Sequence, residues 1–339
     1  MKYFITGGCG FLGSNLAAEV LKRGEELFIL DNLSRIGSND NLLWLNTLGK
    51  FKFFHSDIRS YNDVEYALKE AKPDFVFHLA GQVAMTTSLI NPRLDFETNV
   101  LGGHNLLENV RKICPEVVLT YSSTNKVYGD LEYLDLIEGS KRYLINGYEN
   151  GLDERIKLEF QSPYGCSKGA IDQYMLDYNR MFNIRTIVFR HSSIFGGRQY
   201  PNFDQGWIGW FISQAKKQQK SKSADEFTVS GNGKQVRDIL FASDIVNCYF
   251  KAISMARITA GQAYNIGGGM ENSMSILELF DFLEKLLDVK LRYECIEWRQ
   301  SDQKYFVSNF DKALNDFQWM PKISKNEGLL EMLNWVDKT

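Results

Sequence analysis

The sequence predicts an α/β protein with a doubly wound parallel sheet, followed by a smaller C-terminal α/β lobe. From the N-terminus to residue 190, short runs of β-branched and aromatic residues alternate with longer segments of helical period. The connections between them are short and polar, and this regularity weakens after residue 190. Such alternation is typical of repeated βαβ units, in which helices cover both faces of a parallel sheet.

Each element follows from this pattern. Strands are predicted at residues 2–6, 26–30, 51–54, 75–79, 117–121 and 186–190. Helices are predicted at residues 11–23, 63–70, 95–112 and 164–182. The basic run KKQQKSK, residues 216–222, is interpreted as the end of a solvated helix or a loop.

Composition excludes several classes of function. With 39 basic and 42 acidic residues, the net charge of −3 gives no field that would attract nucleic acid or an anionic membrane. The 5 cysteines are scattered without C-x-x-C spacing, which predicts reduced thiols. No stretch approaches the roughly 20 apolar residues of a membrane span, and no signal peptide is recognisable. We therefore expect a cytoplasmic protein with a small-molecule substrate.

A glycine-rich turn joins the first strand to the first helix. In GGCGFLG, Gly7, Gly10 and Gly13 have the spacing G-x-x-G-x-x-G between KYFIT and a helical segment. Glycines here let the backbone approach a pyrophosphate, which the free N–H groups and dipole of a helix N-terminus favour. The turn predicts a dinucleotide site in a Rossmann-type domain.

The nature of the dinucleotide is indicated by Asp31. This residue comes directly after the second predicted strand, the next strand along the chain from Gly13. A carboxylate at this point accepts hydrogen bonds from the adenosine ribose and repels a 2′-phosphate. Arg35 is close enough to complicate this preference, but the acidic strand end should dominate. The sequence therefore predicts NAD.

An acid/base pair is predicted at the start of a later helix. In SPYGCSK, Tyr164 and Lys168 are separated by one helical turn. A free phenol has a pKa of about 10, but an adjacent ammonium, a helix N-terminus and a positive nicotinamide stabilise its phenolate. Tyr164 can then remove the hydroxyl proton of a carbinol whose hydride passes to the nicotinamide, while Lys168 also holds the nicotinamide ribose.

Together the glycine motif, Asp31, "SDI" at 56–58, "HLAG" at 78–81 and "YGCSK" at 164–168 resemble the extended short-chain dehydrogenase/reductase family, in its NAD-dependent epimerase/dehydratase group. The resemblance covers essentially the whole chain. It implies that Thr124, in TYSSTNKVYGD, bonds the reacting oxygen, with Ser123 a further contributor left open. It also implies that Asp57 and Ile58 lie beside the adenine.

The resemblance completes the set of expected site residues. Cofactor contacts are expected from Gly7, Gly10, Phe11, Leu12, Gly13, Asp31, Asn32, Ser34, Arg35, Asp57, Ile58, Leu79, Ala80, Gln82, Asn99, Ser122, Tyr164 and Lys168. Substrate contacts are expected from Gln82, Met85, Thr86, Thr124, Ser193, Arg198, Arg237 and Arg299. Among these, Arg237 and Arg299 are expected to clamp a nucleotide diphosphate, with Asp238 and Asp302 orienting them. No metal site is expected.

The residues after Thr124 restrict the reaction type. Dehydratases of this family carry an acidic pair there, whereas this chain has Asn125 and Lys126. Elimination of water is therefore disfavoured, which leaves epimerisation by oxidation and re-reduction or a net dehydrogenation. The segments AGQVAMTTS, RHSSIFGGRQ and DQGWIGWF resemble the branch of the family that inverts carbon 2 of CDP-linked 3,6-dideoxyhexoses for bacterial surface polysaccharide.

These observations give one preferred function and two alternatives. The preferred one is a nucleotide-sugar epimerase with tightly bound NAD and a transient 2-keto sugar; the alternatives are a UDP-sugar 4-epimerase and a non-catalytic NAD-sensing regulator. Residues 1–190 are assigned to the NAD-binding Rossmann domain and residues 191–339 mainly to the nucleotide-sugar lobe, with about 236–266 returning to the first domain. The resemblance also implies a homodimer or homotetramer, paired through helices 95–112 and 164–182.

Overall fold

The central feature of the fold is a parallel sheet of seven strands. The structure is a computed structural model that describes residues 1–221 and 225–338. The strands are β1 (Lys2–Thr6), β2 (Glu26–Asp31), β3 (Lys52–His55), β4 (Phe75–His78), β5 (Val118–Thr124), β6 (Leu136–Glu138), β7 (Tyr143–Ile145), β8 (Arg185–His191), β9 (Ser193–Phe195), β10 (Phe227–Ser230), β11 (Val236–Phe241), β12 (Gln262–Ile266), β13 (Ser273–Ser275), β14 (Tyr293–Ile296) and β15 (Tyr305–Phe306). The seven strands of the central sheet lie in the order β12-β8-β5-β4-β1-β2-β3.

Helices cover both faces of this sheet and build most of the second lobe. They are α1 (Phe11–Lys22), α2 (Ser38–Leu48), α3 (Tyr61–Ala71), α4 (Met85–Ile90), α5 (Pro92–Phe96), α6 (Gly102–Ile113), α7 (Ser162–Phe182), α8 (Trp207–Lys220), α9 (Ala242–Ser254), α10 (Ala256–Thr259), α11 (Ile276–Leu287), α12 (Asp311–Phe317) and α13 (Lys325–Val336). A π-turn spans Glu97–Leu101 and a 3₁₀ turn spans Asn125–Tyr128. The Rossmann-type fold predicted from the sequence is confirmed.

The parallel pairing of the strands explains why the candidate binding residues lie at one edge of the sheet. Every neighbouring pair in the seven-stranded sheet is parallel, so all carboxyl ends meet at the same edge. The apolar strands that precede residue 190 are buried between two hydrophobic clusters, one on each face. Residues that follow β1, β2, β4, β5 and β8 therefore converge, as expected for an open α/β sheet.

The six predicted strands are all present, with ends that differ by three residues at most. The largest difference is at β5, which runs to Thr124 instead of residue 121. Its pairing with β8 continues through Thr124 opposite His191, so the backbone hydrogen bonds extend the strand past the apolar run that predicted it. This extension carries Thr124 to the edge where the strands end.

The predicted helix at residues 95–112 lies within an unbroken helical run from Pro92 to Ile113, and this run contains a π-turn that the sequence did not predict. Asn91 caps α5 by accepting a hydrogen bond from the Leu94 N–H at 3.0 Å, and Pro92 opens that helix. The π-turn then separates α5 from α6 and adds a residue to the turn that contains Asn99. Such turns are rare and often lie at functional sites, and side-chain periodicity does not reveal them.

The second lobe packs on the carboxyl edge of the sheet. Its own hydrophobic cluster lies among α8, α11, α13 and β11, while β12 pairs with β8 in the main sheet.

The division of the chain into residues 1–190 and 191–339 stays a prediction. The first five residues of KKQQKSK end α8, and Lys222 lies outside the described residues. In residues 1–221 and 225–338, no helix has the length and apolar character needed to cross a membrane.

Candidate active site

A cavity of about 740 Å³ follows the carboxyl edge of the sheet and continues under the second lobe. At one end it is lined by the glycine turn and Asp31, and at the other by Arg237 and Arg299. Thr124 and Tyr164 lie on the wall between these ends. One continuous cavity thus brings together nearly all of the side chains that the sequence singled out.

The glycine turn is built so that no side chain can occupy it. Gly7 has φ +71°, and a Cβ there would lie 2.6 Å from the Ala80 nitrogen. A Cβ on Gly13 would lie 2.1 Å from the Gly7 carbonyl oxygen. Gly10 precedes α1 and has no side chain, so no side-chain cap accepts hydrogen bonds from the first N–H groups of that helix. Phe11 and Leu12, at the start of the helix, line the cavity. The turn fits the pyrophosphate of a dinucleotide.

Asp31 ends β2 beside this turn. Its Oδ2 accepts a hydrogen bond from the Cys9 N–H at 2.9 Å, and its Oδ1 accepts one from the Leu33 N–H at 2.8 Å. Burial raises the pKa of Asp31, and these two donors oppose the rise. The carboxylate lines the cavity, where its remaining lone pairs fit the hydroxyls of a ribose. Arg35, Ser34 and Asn32 line the cavity close to it.

Asp57 is placed differently from what the sequence suggested. Its carboxylate accepts hydrogen bonds from the Arg59 guanidinium at 3.0 and 2.8 Å and from the Asn32 amide at 2.9 Å. The Arg59 hydrogen bond is the main reason that the pKa of Asp57 falls to about 2. Asp57 is not among the residues that line the cavity, whereas Ile58 and Arg59 are. The structure therefore holds Asp57 through Arg59 and Asn32, and its contact with the cofactor stays a prediction.

Gln82 lines the cavity with Leu79 and Ala80, and Asn99 supports it through two hydrogen bonds. The Asn99 amide oxygen accepts from the Gln82 N–H at 2.9 Å, and its nitrogen donates to the Gln82 carbonyl at 3.0 Å. The Gln82 side chain donates to the Ala84 carbonyl at 2.8 Å, so its polar atoms face the protein. Asn99 does not line the cavity, and the π-turn explains why it reaches the segment after β4 instead.

Tyr164 and Thr124 meet in the middle of the cavity. Tyr164 lies in the first turn of α7, and it lines the cavity together with Thr124. Burial raises the pKa of Tyr164 to about 12, and the neighbouring Thr124 hydroxyl opposes this rise. The Thr124 hydroxyl also accepts a hydrogen bond from the Lys126 N–H at 3.3 Å. The pair is placed to bind one substrate oxygen between a phenol and a hydroxyl.

Lys168 lies one helical turn further on, behind the cavity wall. Its Nζ donates to the Ser122 carbonyl at 2.5 Å and lies 4.4 Å from the centre of the Tyr121 ring. Burial lowers the pKa of Lys168 to about 7. The expectation that this ammonium stabilises the phenolate of Tyr164 is not met by a direct hydrogen bond here, because Lys168 is bonded to the end of β5.

The two serines before Thr124 have distinct partners. Ser123 donates to Oδ2 of Asp172 at 2.6 Å, and Asp172 also accepts two hydrogen bonds from Arg190. Ser122 shares a 3.2 Å hydrogen bond with Nδ1 of His191. Because the Ser123 hydroxyl is committed to a buried carboxylate, the geometry favours Thr124 as the partner of the reacting oxygen.

A group of four charged side chains, here called the cation cluster, lies at the far end of the cavity. Its members are Lys126, Arg237, Arg299 and Asp302. Oδ1 of Asp302 accepts from Lys126 at 3.2 Å and from Arg237 at 2.9 Å. Burial alone would raise the pKa of Asp302, but the two cations hold it below its usual range. Three cations around one carboxylate leave two positive charges, which a dianion can neutralise.

Of the other predicted substrate contacts, some line the cavity and one does not. Met85, Ser193 and Arg198 line the cavity, and the Arg198 guanidinium carbon lies 4.0 Å from the centre of the Trp44 ring. Thr86 does not line it, and its hydroxyl is buried without a hydrogen-bond partner in the described chain. Successive residues of α4 point in different directions, so Thr87 faces the cavity and Thr86 does not.

Asp238 was expected to orient the arginines, and this is wrong. Its Oδ2 accepts from the Ser308 N–H at 3.0 Å and from the Gly269 N–H at 3.2 Å, so it holds two loops together. Lys126 was missed as a member of the cluster, although its position two residues after Thr124 was a usable signal. Among the residues that the structure describes, no group of three His, Cys, Asp or Glu side chains is arranged to hold a metal ion.

Comparison with known proteins identifies the class. Residues 3–267 match the model of the NAD dependent epimerase/dehydratase family. The chain belongs to this family, within the extended short-chain dehydrogenases/reductases. It is an NAD-dependent nucleotide-sugar epimerase, and the glycine turn and Asp31 are the features of the chain that fit NAD.

Particular relatives extend this result over the full chain. A CDP-paratose 2-epimerase from Salmonella typhi is 52% identical over 336 residues, covering 99% of both chains. A putative UDP-glucose 4-epimerase from Methanocaldococcus jannaschii is 30% identical and covers 98% of this chain and 97% of its own. The solved structure of Thermus thermophilus UDP-glucose 4-epimerase in complex with NAD is 26% identical, with a TM-score of 0.81 and 99% of each chain covered.

Proposed function

We propose that this enzyme inverts carbon 2 of a CDP-linked 3,6-dideoxyhexose, converting CDP-paratose to CDP-tyvelose for bacterial O-antigen synthesis. The observation that carries the proposal is the 52% identity to the Salmonella typhi CDP-paratose 2-epimerase along 99% of both chains. At this similarity, Thr124, Tyr164 and Lys168 are expected to act on the same reaction. The cytoplasmic location expected from the sequence stays a prediction.

The proposed chemistry follows from the weak acidity of a sugar carbon that has no neighbouring carbonyl group. NAD in this site supplies a hydride acceptor and then a hydride donor. Tyr164 accepts the proton of the C2 hydroxyl and later returns it, while Thr124 holds the same oxygen. The sugar passes through a 2-keto form, whose other face must be presented before the hydride returns. Protons and hydrides balance over the cycle, so no net oxidant is needed.

Lys168 has two proposed tasks in this scheme. An ammonium near Tyr164 favours its phenolate, and the same group is suited to hold the hydroxyls of the nicotinamide ribose. Burial raises the pKa of Tyr164 to about 12, so additional positive charge is required before the phenol acts as a base near neutrality. The short hydrogen bond to the Ser122 carbonyl holds the Lys168 ammonium at the end of β5, and Lys168 lies one turn of α7 after Tyr164.

The cation cluster is the proposed site of the nucleotide diphosphate. Its two arginines are planar donors suited to bidentate contacts with phosphate oxygens, and Asp302 holds Arg237 in place through a 2.9 Å hydrogen bond. Lys126 joins the cluster from the turn that follows Thr124. A substrate anchored here would extend its sugar toward Thr124 and Tyr164 along the same cavity.

Two alternatives remain distinguishable. A UDP-sugar 4-epimerase would use the same catalytic residues, and the 30% identical Methanocaldococcus relative bears that type of name. A non-catalytic regulator would not need Thr124 and Tyr164 together in the wall of one cavity. Elimination is disfavoured because Asn125 and Lys126 stand where dehydratases of this family carry acids.

The decisive experiment supplies purified protein with CDP-paratose and, separately, with UDP-galactose, and identifies the products. Conversion of the CDP-sugar alone supports the proposal. Conversion of the UDP-sugar alone rejects the proposal and supports the 4-epimerase alternative. Turnover of neither sugar, with NAD bound, favours the regulator. The Tyr164→Phe variant is the matched control: it should retain NAD and lose turnover, because only the proton acceptor is removed.

Incorporation of deuterium from the solvent tests the proposed chemistry separately. In heavy water the product should carry no deuterium at C2, because that hydrogen leaves and returns as a hydride. Deuterium at C2 after one turnover would instead indicate a carbanion. Label placed at C2 of the substrate should appear at C2 of the product.

We also propose a homodimer or homotetramer that is paired through α5, α6 and α7. Phe96, Leu101, Tyr174 and Met181 are large side chains exposed on these elements and on the π-turn between them. Sedimentation equilibrium at micromolar concentration should give at least a dimer, and a monomeric mass would reject the proposal. Leu101→Glu should weaken association, whereas Ile258→Glu, at an exposed position on α10, is the matched control.

A further inference from the structure

Asp95 is a buried carboxylate that the proposed chemistry does not use. It is fully buried at the end of α5, and its Oδ1 accepts from the Gln82 amide at 2.8 Å and from the Asn99 amide at 3.3 Å. Its Oδ2 is buried with no hydrogen-bond partner in the described residues. An ionised group in such a place requires a compensating charge nearby.

The surroundings of Asp95 connect it to the catalytic turn, residues 164–168. Asn99, which donates to Oδ1 of Asp95 at 3.3 Å, also donates to the Ser167 hydroxyl at 2.9 Å, and that hydroxyl donates to the Tyr164 carbonyl at 3.2 Å. A Cβ on Gly81 would lie 2.9 Å from the Asn99 amide oxygen and 3.8 Å from Lys168 Nζ. The ammonium of Lys168 therefore lies beside the hydrogen-bonded group that contains Asp95.

Several ionisable groups face Lys168 from the elements packed around it. They are Asp95 on α5, Asp172 and Tyr164 on α7, His78 on β4, Tyr121 on β5 and His191 on β8. Burial and the Lys168 charge lower the pKa of both histidines to about 3, so they are neutral. These neutral rings offer Lys168 no compensating charge.

The two carboxylates near Lys168 are not equivalent. Asp172 is already paired with Arg190, whose guanidinium donates at 3.0 and 2.9 Å, and it also accepts from Ser123. Asp95 forms no such ion pair within the described chain. Burial lowers the pKa of Lys168, and Asp95 is the largest charge that opposes this effect. Its field is therefore available to the catalytic lysine.

We propose that Asp95 is a positioning residue: its carboxylate supplies the negative charge that keeps the Lys168 ammonium protonated, and its hydrogen bonds hold the catalytic turn against the segment after β4. This inference rests on the proposed roles of Tyr164 and Lys168. Asp95 reaches neither substrate nor cofactor, because it does not line the cavity. It acts only through the protonation state of the pair.

The sign of the effect follows from electrostatics. A negative charge raises the pKa of a neighbouring ammonium and of a neighbouring phenol, and Asp95 acts in that direction on both Lys168 and Tyr164. Removing the charge lowers both values. Because the two groups titrate as a coupled pair, both limbs of a bell-shaped activity profile should move to lower pH.

The test compares Asp95→Asn with wild type in the holoenzyme, using whichever nucleotide sugar it turns over. We expect both limbs of the kcat profile to shift toward lower pH by about one unit, the lower end of the range for a nearby opposite charge. At pH values above neutrality kcat should then fall about 10-fold, and most of this loss should be recovered at lower pH. Bound NAD and circular dichroism verify that the variant is assembled.

Two further variants separate charge from hydrogen bonding. Ser167→Ala removes the hydroxyl that connects Asn99 to the Tyr164 carbonyl and keeps the charge of Asp95, so both limbs of its kcat profile should stay at the wild-type pH even if kcat falls. If Asp95→Asn does not fold, Asp95→Thr provides a second neutral side chain with a hydrogen-bond acceptor. A uniform loss of kcat at every pH, with unshifted limbs in the neutral variants, would overturn the inference. Full activity of Tyr164→Phe would instead overturn the proposed function.

Discussion

We expect the two neighbouring hydroxyls at the end of β5 to have different roles: that of Ser123 stabilises the fold, and that of Thr124 takes part in catalysis. Ser123→Ala removes a 2.6 Å hydrogen bond from a buried hydroxyl to the fully buried carboxylate of Asp172. Arg190 continues to neutralise that carboxylate through two hydrogen bonds. A hydrogen bond to a charged group contributes about 1.5–3 kcal/mol, so the free energy of unfolding should fall by roughly that amount. We expect kcat to change by less than about 3-fold, since less than about 1 kcal/mol of transition-state energy is involved.

Thr124→Val should give the reverse pattern. The Thr124 hydroxyl has 3.3 Å contacts with Asn125 and with the Lys126 N–H, both long for hydrogen bonds, and valine keeps its shape. The cost in stability should therefore stay below about 1 kcal/mol. Loss of a hydrogen bond to the reacting oxygen should lower kcat by about 10²-fold, as for a donor that stabilises a transition state.

Urea unfolding and steady-state turnover of the two variants, with bound NAD quantified, check both halves of this prediction. A 10²-fold loss of kcat in Ser123→Ala at unchanged stability would show that Ser123 contacts the reacting oxygen. Full activity in Thr124→Val would lead to the same conclusion. Either result would refute the assignment made from the Asp172 hydrogen bond.

Three further outcomes are expected. Asp31→Ala should weaken NAD binding and narrow its advantage over NADP in calorimetric titrations; an unchanged ratio would place Asp31 away from the ribose. Lys126→Met should raise KM more than it lowers kcat. Because burial lowers the pKa of Lys126 to about 8, the wild-type KM should rise as the ammonium loses its proton above that pH, and the variant's KM should not. Lys168→Ala should reduce both NAD retention and kcat, and a normal rate with normal NAD content would contradict its assignment.

Much of the first domain was predictable because its signals are local. The apolar runs at β1 and β4 and the glycines between β1 and α1 depend on short stretches of chain, and the structure has the strands where those stretches lie. The extension of β5 to Thr124 was not predictable in this way. It depends on pairing with β8, which is separated from β5 in the sequence by the β6–β7 hairpin and the whole of α7.

The differences between the expected and the observed positions of these residues have a common physical origin. Asp57, Thr86 and Asp238 have suitable chemistry and lie close to cavity residues in the sequence, but none of the three lines the cavity. Asp57 is held by Arg59, and Asp238 is held by the backbone of two loops. The type of a residue and its position in the sequence do not determine which neighbour in space forms hydrogen bonds with its side chain. The same reason kept Lys126 out of the predicted set, since its partner Asp302 lies 176 residues away.

The arrangement of the cavity also bears on which sugar carbon reacts. If the cation cluster holds the diphosphate and Thr124 with Tyr164 holds the reacting hydroxyl, the span between them selects the carbon. Carbon 2 is adjacent to the anomeric carbon that carries the phosphate, whereas carbon 4 lies across the ring. The catalytic side chains can serve either case, so specificity must come from residues that set how the ring lies. Met85, Thr87 and Ser193 line the cavity between the two anchors of the proposed substrate, and substitutions there should alter the preferred sugar while leaving the pH dependence of the catalytic pair in place.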